Sequence, residues 1–172
     1  MTIAQDVRAA VRAAHDSCCG YCGVSETLVG GELEMDHFRP FSRGGADTPA
    51  NLVYACTTCN RFKGDYWPEE DAPDSFRLLH PSRDDRGAHI LEAANGLLVG
   101  LTPRGWFHIR WLHLNRPQLI ALRQLRRSEQ DMREALAQAR AAKAELQQRI
   151  NQLETETAQL REVISRLTGA ES

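Results

Sequence analysis

Residues 19–64 decide the fold and read CGYCGVSETLVGGELEMDHFRPFSRGGADTPANLVYACTTCNRFKG. A Cys-x-x-Cys pair stands at each end of this segment. Each pair places two thiolates on a tight turn, and two such turns close a tetrahedral site with four sulfur ligands. Because four sulfur ligands leave no open position for a substrate, we expect a structural zinc ion. Its predicted ligands are Cys19, Cys22, Cys56 and Cys59.

The fifth cysteine, Cys18, lies directly before the first pair. Pairing Cys18 with Cys22 would give a Cys-x-x-x-Cys spacing, so Cys18 is the alternative to Cys19 as a ligand. We favour Cys19 because Cys-Gly-Tyr-Cys-Gly matches the compact turn. The remaining alternative is a set of reduced thiols without a structural role. A bound zinc ion would add folding free energy to a domain with a small core.

Between the two cysteine pairs, the sequence combines hard oxygen donors, a histidine and basic side chains. Asp36 offers a carboxylate and Asn60 an amide oxygen, and both suit a magnesium-type ion. His37 is neutral near physiological pH and can take a proton from water. The set suits hydrolysis of a phosphodiester, and the competing interpretation is an ordinary surface Asp-His pair. A basic rim would contact phosphate through Arg39, Arg43, Arg61 and Lys63.

The order and spacing of these residues resemble the HNH endonuclease family over about residues 15–66. The matching motifs are Cys19-Gly-Tyr-Cys22, Asp36-His37, Gly44-Gly45, Asn51-Leu52 and Cys56-Thr-Thr-Cys59-Asn60-Arg61-x-Lys63-Gly64. The resemblance implies a ββα-metal core in which two strands and a loop precede a helix.

The resemblance also implies residue roles. Asp36 and Asn60 would bind one divalent ion, and His37 would be the general base that activates water. Asn51 would fix the loop and the orientation of His37, and Arg61 or Lys63 would contact phosphate. The final motif position is often His in this family. Asn60 at that position is a weaker ligand than His for transition metals, which favours the hard ions Mg²⁺ or Mn²⁺.

Residues 69–116 are expected to form a small β-rich accessory segment. Asn95-Gly96 is a strong hairpin signal, and Pro103-Arg104-Gly105 indicates another turn. We therefore predict a meander of two or three strands. The apolar pieces that would form it are His89–Leu91, Leu97–Leu101 and Trp106–Leu114. The last part of this segment is loosely similar to bacterial defence-associated HNH proteins, which implies a role in antiviral defence.

The histidines His80, His89, His108 and His113 could in principle form a second metal cluster. Their scattered spacing favours structural or solvent-facing histidines instead.

Helices are predicted at both ends of the chain. Ile3, Val7 and Val11 have helical spacing near the N-terminus. Residues 118–168 contain neither Gly nor Pro and are rich in good helix formers. Asn115 could cap this long helix, Pro117 fits its first turn, and Gly169 would end it.

The long helix carries a heptad pattern, strongest over its last four repeats. The d positions are Leu146, Leu153, Leu160 and Leu167, and Ile150 and Ile164 occupy a positions. β-branched residues at a with Leu at d favour two parallel strands. We therefore expect a parallel homodimer through residues 118–168. The alternatives are packing of this helix on its own domain and pairing with a helix of a different protein.

Composition narrows the class of protein. With 42% hydrophobic and 26% charged residues, the chain is ordinary for a folded protein, and its formal net charge is −2. Nucleic-acid contacts must therefore come from a local basic patch. No apolar run approaches the roughly 20 residues of a membrane helix. Charges interrupt the apolar N-terminal stretch, so we expect no secretory signal and a reducing, cytoplasmic location.

Together these features predict an α+β protein with three parts. Residues 1–68 would form the nuclease core with its N-terminal helix, 69–116 the accessory segment, and 117–168 the coiled coil. The predicted function is metal-dependent DNA cleavage, with structural Zn²⁺ and catalytic Mg²⁺ or Mn²⁺. A partner, a guide or another chain would supply specificity. The alternative function is a non-catalytic zinc-containing nucleic-acid-binding or adaptor module.

Overall fold

The structure is a computed structural model that describes residues 3–169. The chain divides into two compact units, residues 1–124 and residues 125–172. The first unit contains every strand of the described residues, and within those residues the second unit is helical. The fold is mixed α+β with small antiparallel sheets and a long C-terminal helix, as predicted from the sequence.

Two strands and a helix form the centre of the first unit. Strand β1 (Glu34–His37) pairs antiparallel with β2 (Leu52–Ala55), in a register that sets Asp36 opposite Val53 and His37 opposite Leu52. All four residues of β2 are buried, whereas in β1 Asp36 is buried and its neighbours are partly exposed. Helix α3 (Thr57–Lys63) follows β2 after one residue, so the predicted ββα order is observed.

Two helices precede this core. Helix α1 (Gln5–Ala14) buries Val11, and Ile3 and Val7 pack against the core, which confirms the predicted N-terminal helix. The short helix α2 (Glu26–Val29) begins at Ser25, whose side chain accepts a hydrogen bond from the backbone N–H of Leu28. An ion pair at 2.6 Å between Arg12 and Glu26 joins the two helices.

The segment after the core forms one hairpin and two helices. Helix α4 (Arg86–His89) leads into β3 (Ile90–Glu92), which pairs antiparallel with β4 (Leu98–Gly100). The predicted hairpin at Asn95-Gly96 is present, with five residues between the strands, and Gly96 takes the left-handed φ of 77° in this loop.

The prediction of a third strand over Trp106–Leu114 is wrong, because helix α5 (Pro103–Trp111) occupies most of this segment. Thr102 caps the helix by accepting a hydrogen bond from the backbone N–H of Gly105, and Pro103 fits its first turn. The residues interpreted as a turn between two strands are therefore the start of a helix.

Helix α6 (Pro117–Thr168) begins and ends close to the predicted positions, and Gly169 follows it with φ of 67°. Asn115 does not serve the predicted capping role. Its side chain instead exchanges two hydrogen bonds with the backbone of Leu98 and accepts a third from Arg123. Within residues 3–169, no helix combines the length and apolar content that crossing a bilayer requires.

Candidate functional site

The two cysteine pairs meet in the first unit and form one sulfur cluster. The sulfur atoms of Cys19, Cys22, Cys56 and Cys59 all lie within 4.8 Å of one another, and all four residues are buried. The Cys22 and Cys56 sulfurs are 3.8 Å apart. A tetrahedron with metal–sulfur bonds of about 2.3 Å has edges of about 3.8 Å, so the donors and their spacing fit zinc.

The thiols of this cluster lie close enough to shift one another's pKa. Hydrogen bonding with Cys19 lowers the pKa of Cys56 and raises the pKa of Cys59. Cys18 lies outside the cluster, and its backbone forms an isolated antiparallel β-bridge with Ser25. Its position agrees with the preference for Cys19 as the zinc ligand. Among the described residues, the four histidines named above belong to no such cluster.

The residues of β1 divide the remaining candidates between two sides of the strand. Successive strand residues point to opposite faces, so Glu34 and Asp36 share one face and His37 lies on the other. Helix α3 contributes Asn60 and Lys63 to the face of Glu34 and Asp36, through hydrogen bonds and an ion pair.

Asp36 is buried and has a partner on each carboxylate oxygen. The Tyr21 hydroxyl donates to Oδ2 at 2.5 Å, and the Lys63 ammonium lies 3.0 Å from Oδ1. Burial raises the pKa of Asp36, while the charge of Lys63 acts in the opposite direction. The predicted metal ligand is therefore a buried carboxylate that is already paired with a cation.

The structure places Lys63 differently from the prediction. Its side chain is 0% exposed, and its ammonium also donates to the backbone carbonyls of His37 and Gly64. A side chain held in this way does not reach a phosphate outside the protein, so the predicted phosphate contact of Lys63 needs correction. The reason is that β1 and α3 pack closely, with Asp36 between them.

Asn60 is paired with a residue that the sequence analysis did not single out. Its side-chain N–H donates to Glu34 at 2.6 Å, and the Thr57 hydroxyl donates to the other oxygen of the same carboxylate at 2.6 Å. Asp36 and Asn60 thus have separate partners rather than a shared one. The donor chemistry of Glu34, Asp36 and Asn60 still fits a hard cation, because all three offer oxygen.

His37 lies on the other side of β1, beside a second residue missed from the sequence. Its Nε2 atom is 2.5 Å from Oδ1 of Asp47, and the ring of Phe41 packs against the imidazole edge-on. The imidazole is partly exposed. The sequence places Asp47 in the loop between Gly45 and Asn51. Its distance along the chain from His37 does not identify the two residues as partners.

Asn51 anchors the loop that carries these residues. Its side-chain oxygen accepts a hydrogen bond from the backbone N–H of Arg39, and its amide group donates to the carbonyls of Arg39 and Ala46. Gly45 is required at this point, because a Cβ atom there would lie 1.8 Å from the Arg39 carbonyl oxygen. The loop is therefore closed onto the end of β1, directly after His37.

The other predicted phosphate contacts are exposed. Arg39 lies over the Trp67 ring and donates to the carbonyl of Arg43, whose own guanidinium is 3.5 Å from Glu69. Arg61 is exposed on α3, one residue after Asn60. Three of the four basic residues can therefore contact a ligand in solution.

Comparison with known families identifies the central segment. Residues 19–66 match the model of the HNH endonuclease family. The matched segment includes both cysteine pairs, β1, β2, α3 and the loop anchored by Asn51. A comparison with curated proteins gives no match.

Proposed function

We propose that this protein is a metal-dependent endonuclease that hydrolyses phosphodiester bonds of DNA with His37 as the general base. The observation that carries the proposal is the environment of His37. Its Nε2 atom faces the Asp47 carboxylate, which accepts the Nε2 proton. In that tautomer, Nδ1 holds the free electron pair and can take a proton from water.

Asp47 and Asn51 prepare His37 for this reaction in two ways. The Asp47 carboxylate fixes the tautomer and stabilises the positive charge that His37 gains when it accepts the proton, as an acidic partner does in other histidine bases. Asn51 holds the loop that follows His37 through its three backbone hydrogen bonds. The imidazole therefore needs little reorganisation as the proton moves.

Asp36 and Asn60 would hold the divalent cation, and Glu34 adds a third oxygen ligand on the same face of β1. A Mg²⁺ or Mn²⁺ ion at these residues would supply a Lewis acid that stabilises charge on the phosphate. Because the Lys63 ammonium contacts Asp36 at 3.0 Å, the cation must compete with it. Arg39, Arg43 and Arg61 would bind the neighbouring phosphates by charge.

The ion pair between Lys63 and Asp36 favours a second candidate function. A carboxylate whose charge a lysine already compensates has no need of a divalent cation. The protein would then be a non-catalytic module that binds nucleic acid, with zinc at the four cysteines as its metal. Activity and cation binding distinguish the two candidates.

The test is a plasmid-nicking assay with Mg²⁺ or Mn²⁺ on the full chain and on His37→Ala. We expect the wild type to nick the plasmid and His37→Ala to lose at least about 100-fold in rate, the scale of general-base catalysis. His89→Ala is the matched control, because His89 bonds to Thr102 outside this site. Equal rates for wild type and His37→Ala would contradict the proposal.

Calorimetric titration with Mn²⁺ separates the base from the ligands. His37→Ala should bind the ion as the wild type does, whereas Asp36→Ala should bind it more weakly. Loss of binding in the His37 variant would instead make His37 a ligand. Absence of Mn²⁺ binding to the wild type, together with unimpaired DNA binding, would support the non-catalytic module.

We further propose a parallel homodimer through residues 118–168. The heptad residues Leu146, Leu153 and Leu160 are exposed on the described helix, as are Ile150 and Ile164. A row of exposed apolar side chains at this spacing is stabilised by burial against a second helix. In the parallel arrangement, Arg149 would face Glu154 of the second chain and Glu156 would face Arg161, and both pairs attract.

A further inference from the structure

A groove in the first unit is lined by exposed aromatic side chains and by cations. Its volume is about 1340 Å³, which exceeds the roughly 300–1,000 Å³ of a typical small-molecule pocket. The groove therefore suits a segment of a polymer rather than one small ligand. The lining residues that matter here are Phe62, Phe76, Trp106, Arg110, Trp111 and Arg116.

The aromatic side chains of this groove are unusually accessible. Phe76 is 50% exposed and Trp106 is 48% exposed, and Phe62 and Trp111 are also exposed. Large aromatic residues are normally buried, and several together on one surface indicate a binding site. The indole of Trp106 lies against Gly100, where an added Cβ atom would be 2.6 Å from the ring carbon Cγ. The backbone at Gly100 thus supports one side of the Trp106 ring.

The charges of the groove all have one sign. Arg110 and Arg116 line it, and none of its lining residues is acidic, although the whole chain has a net charge of −2. Arg110 is exposed and has no acidic partner among residues 3–169. Arg116 lies over the Phe62 ring and donates to the sulfur of Cys59, so it links the groove to the cysteine cluster.

Helix α3 contributes residues both to the groove and to the proposed nuclease site. Phe62 lies on α3 between Arg61, a proposed phosphate contact, and Lys63. Its ring stacks on His113 with the ring centres 4.2 Å apart. Successive residues of a helix point about 100° apart, so a strand bound at Arg61 would have to turn around α3 to reach Phe62 and the aromatic lining.

We propose that this groove binds single-stranded nucleic acid, with unpaired bases stacked on Trp106 and its aromatic neighbours. Aromatic side chains beside arginines form the stacking platforms of proteins that bind single strands, because every base has a π-face. Paired bases in a duplex cannot stack on such side chains, so the groove selects unpaired substrate. The inference rests on the proposed function, which supplies the reason for a nucleic-acid ligand.

The test measures binding of the full chain to a fluorescein-labelled 12-nucleotide oligothymidylate, by anisotropy, without added Mg²⁺ or Mn²⁺. A duplex of the same length is the comparison. We expect the single strand to bind at least tenfold more tightly than the duplex. Trp106→Ala should weaken single-strand binding about tenfold, or about 1.4 kcal/mol at 25 °C. Arg110→Gln should weaken it and reduce the salt dependence by about one counterion.

Leu91→Ala is the matched control, because Leu91 is an exposed apolar residue on β3 outside the groove. Zinc content and the thermal midpoint of each variant establish that it is folded, and Arg110→Gln tests the groove should Trp106→Ala fail to fold. Absence of single-strand binding, or equal binding to both probes with no effect of the variants, would overturn the proposal. The proposal would also be overturned if Trp106→Ala changed the oligomeric state of the protein in solution, because the groove would then be a protein interface.

Nuclease activity is scored separately, so the two proposals fail independently. Variant-sensitive single-strand binding without any nicking would retain the groove and reject the catalytic role. Nicking that requires His37, combined with binding that is insensitive to Trp106→Ala, would retain the nuclease and reject the groove.

Discussion

At the scale of single residues, the proposed role of Asp47 depends on its contact with His37. Asp47→Asn keeps a hydrogen-bonding side chain near His37 but removes the negative charge that stabilises the protonated imidazole. We expect kcat for plasmid nicking to fall by at least about tenfold and by as much as about 10⁴-fold, the loss when the acidic partner of a histidine base becomes an amide, with KM nearly unchanged. Steady-state kinetics on a defined oligonucleotide measures both parameters.

The control for this change is Asp71→Asn, which removes an acidic charge from an exposed position elsewhere in the first unit. Asp47→Glu should recover part of the rate, because a carboxylate is again present. A structural role for Asp47 alone would lower the thermal midpoint without separating kcat from KM. An unchanged kcat in Asp47→Asn would contradict the assignment.

At the scale of the element, α3 depends on the cysteine cluster at its start. Cys56 is the N-cap of α3, and its sulfur accepts a hydrogen bond from the backbone N–H of Cys59. We expect Cys56→Ser to lose zinc and to unfold or aggregate, because the metal contributes folding free energy directly. Cys18→Ser should retain about one zinc ion per chain. Elemental analysis of the purified variants gives the zinc content.

One result of the same elemental analysis would contradict this prediction. Zinc that is lost from Cys18→Ser but retained in Cys19→Ser would exchange the roles of these two residues. The thermal midpoint of Cys18→Ser should also remain near that of the wild type, since Cys18 lies outside the sulfur cluster.

At the scale of the whole molecule, the long helix decides the proposed assembly. Glu129 and Lys143 occupy a positions, where each would face its own counterpart in a parallel dimer. Lys143→Ile removes one like-charge contact and supplies the β-branched residue that this position favours. We expect the dimer dissociation constant to decrease at least tenfold, as measured by analytical ultracentrifugation.

The matched control for Lys143→Ile is Gln148→Ile, which adds the same side chain at an exposed position outside the a and d pattern. Leu153→Asp provides the opposite change at a d position and should yield monomers at micromolar concentration. A monomeric wild type by light scattering would contradict the dimer. Labels at the C-termini that lie far apart in the dimer would contradict the parallel orientation.

Local sequence signals predicted the frame of the first unit. The two Cys-x-x-Cys turns and the hairpin at Asn95-Gly96 each depend on residues close together in the chain. The cysteine cluster could therefore be predicted without coordinates, whereas the ββα order was implied by the resemblance to the HNH endonuclease family. Helix α5 could not be predicted, because the capping of Thr102 on Gly105 competes with turn signals in the same residues.

The partners of the site residues were decided only by tertiary structure. Lys63 meets Asp36, Asn60 meets Glu34 and His37 meets Asp47 because α3 and the loop before β2 fold against β1. The sequence by itself determined which residue types are present and in what order they follow one another. Which oxygen receives which proton donor depends on packing between distant segments, and no spacing along the chain contains that information.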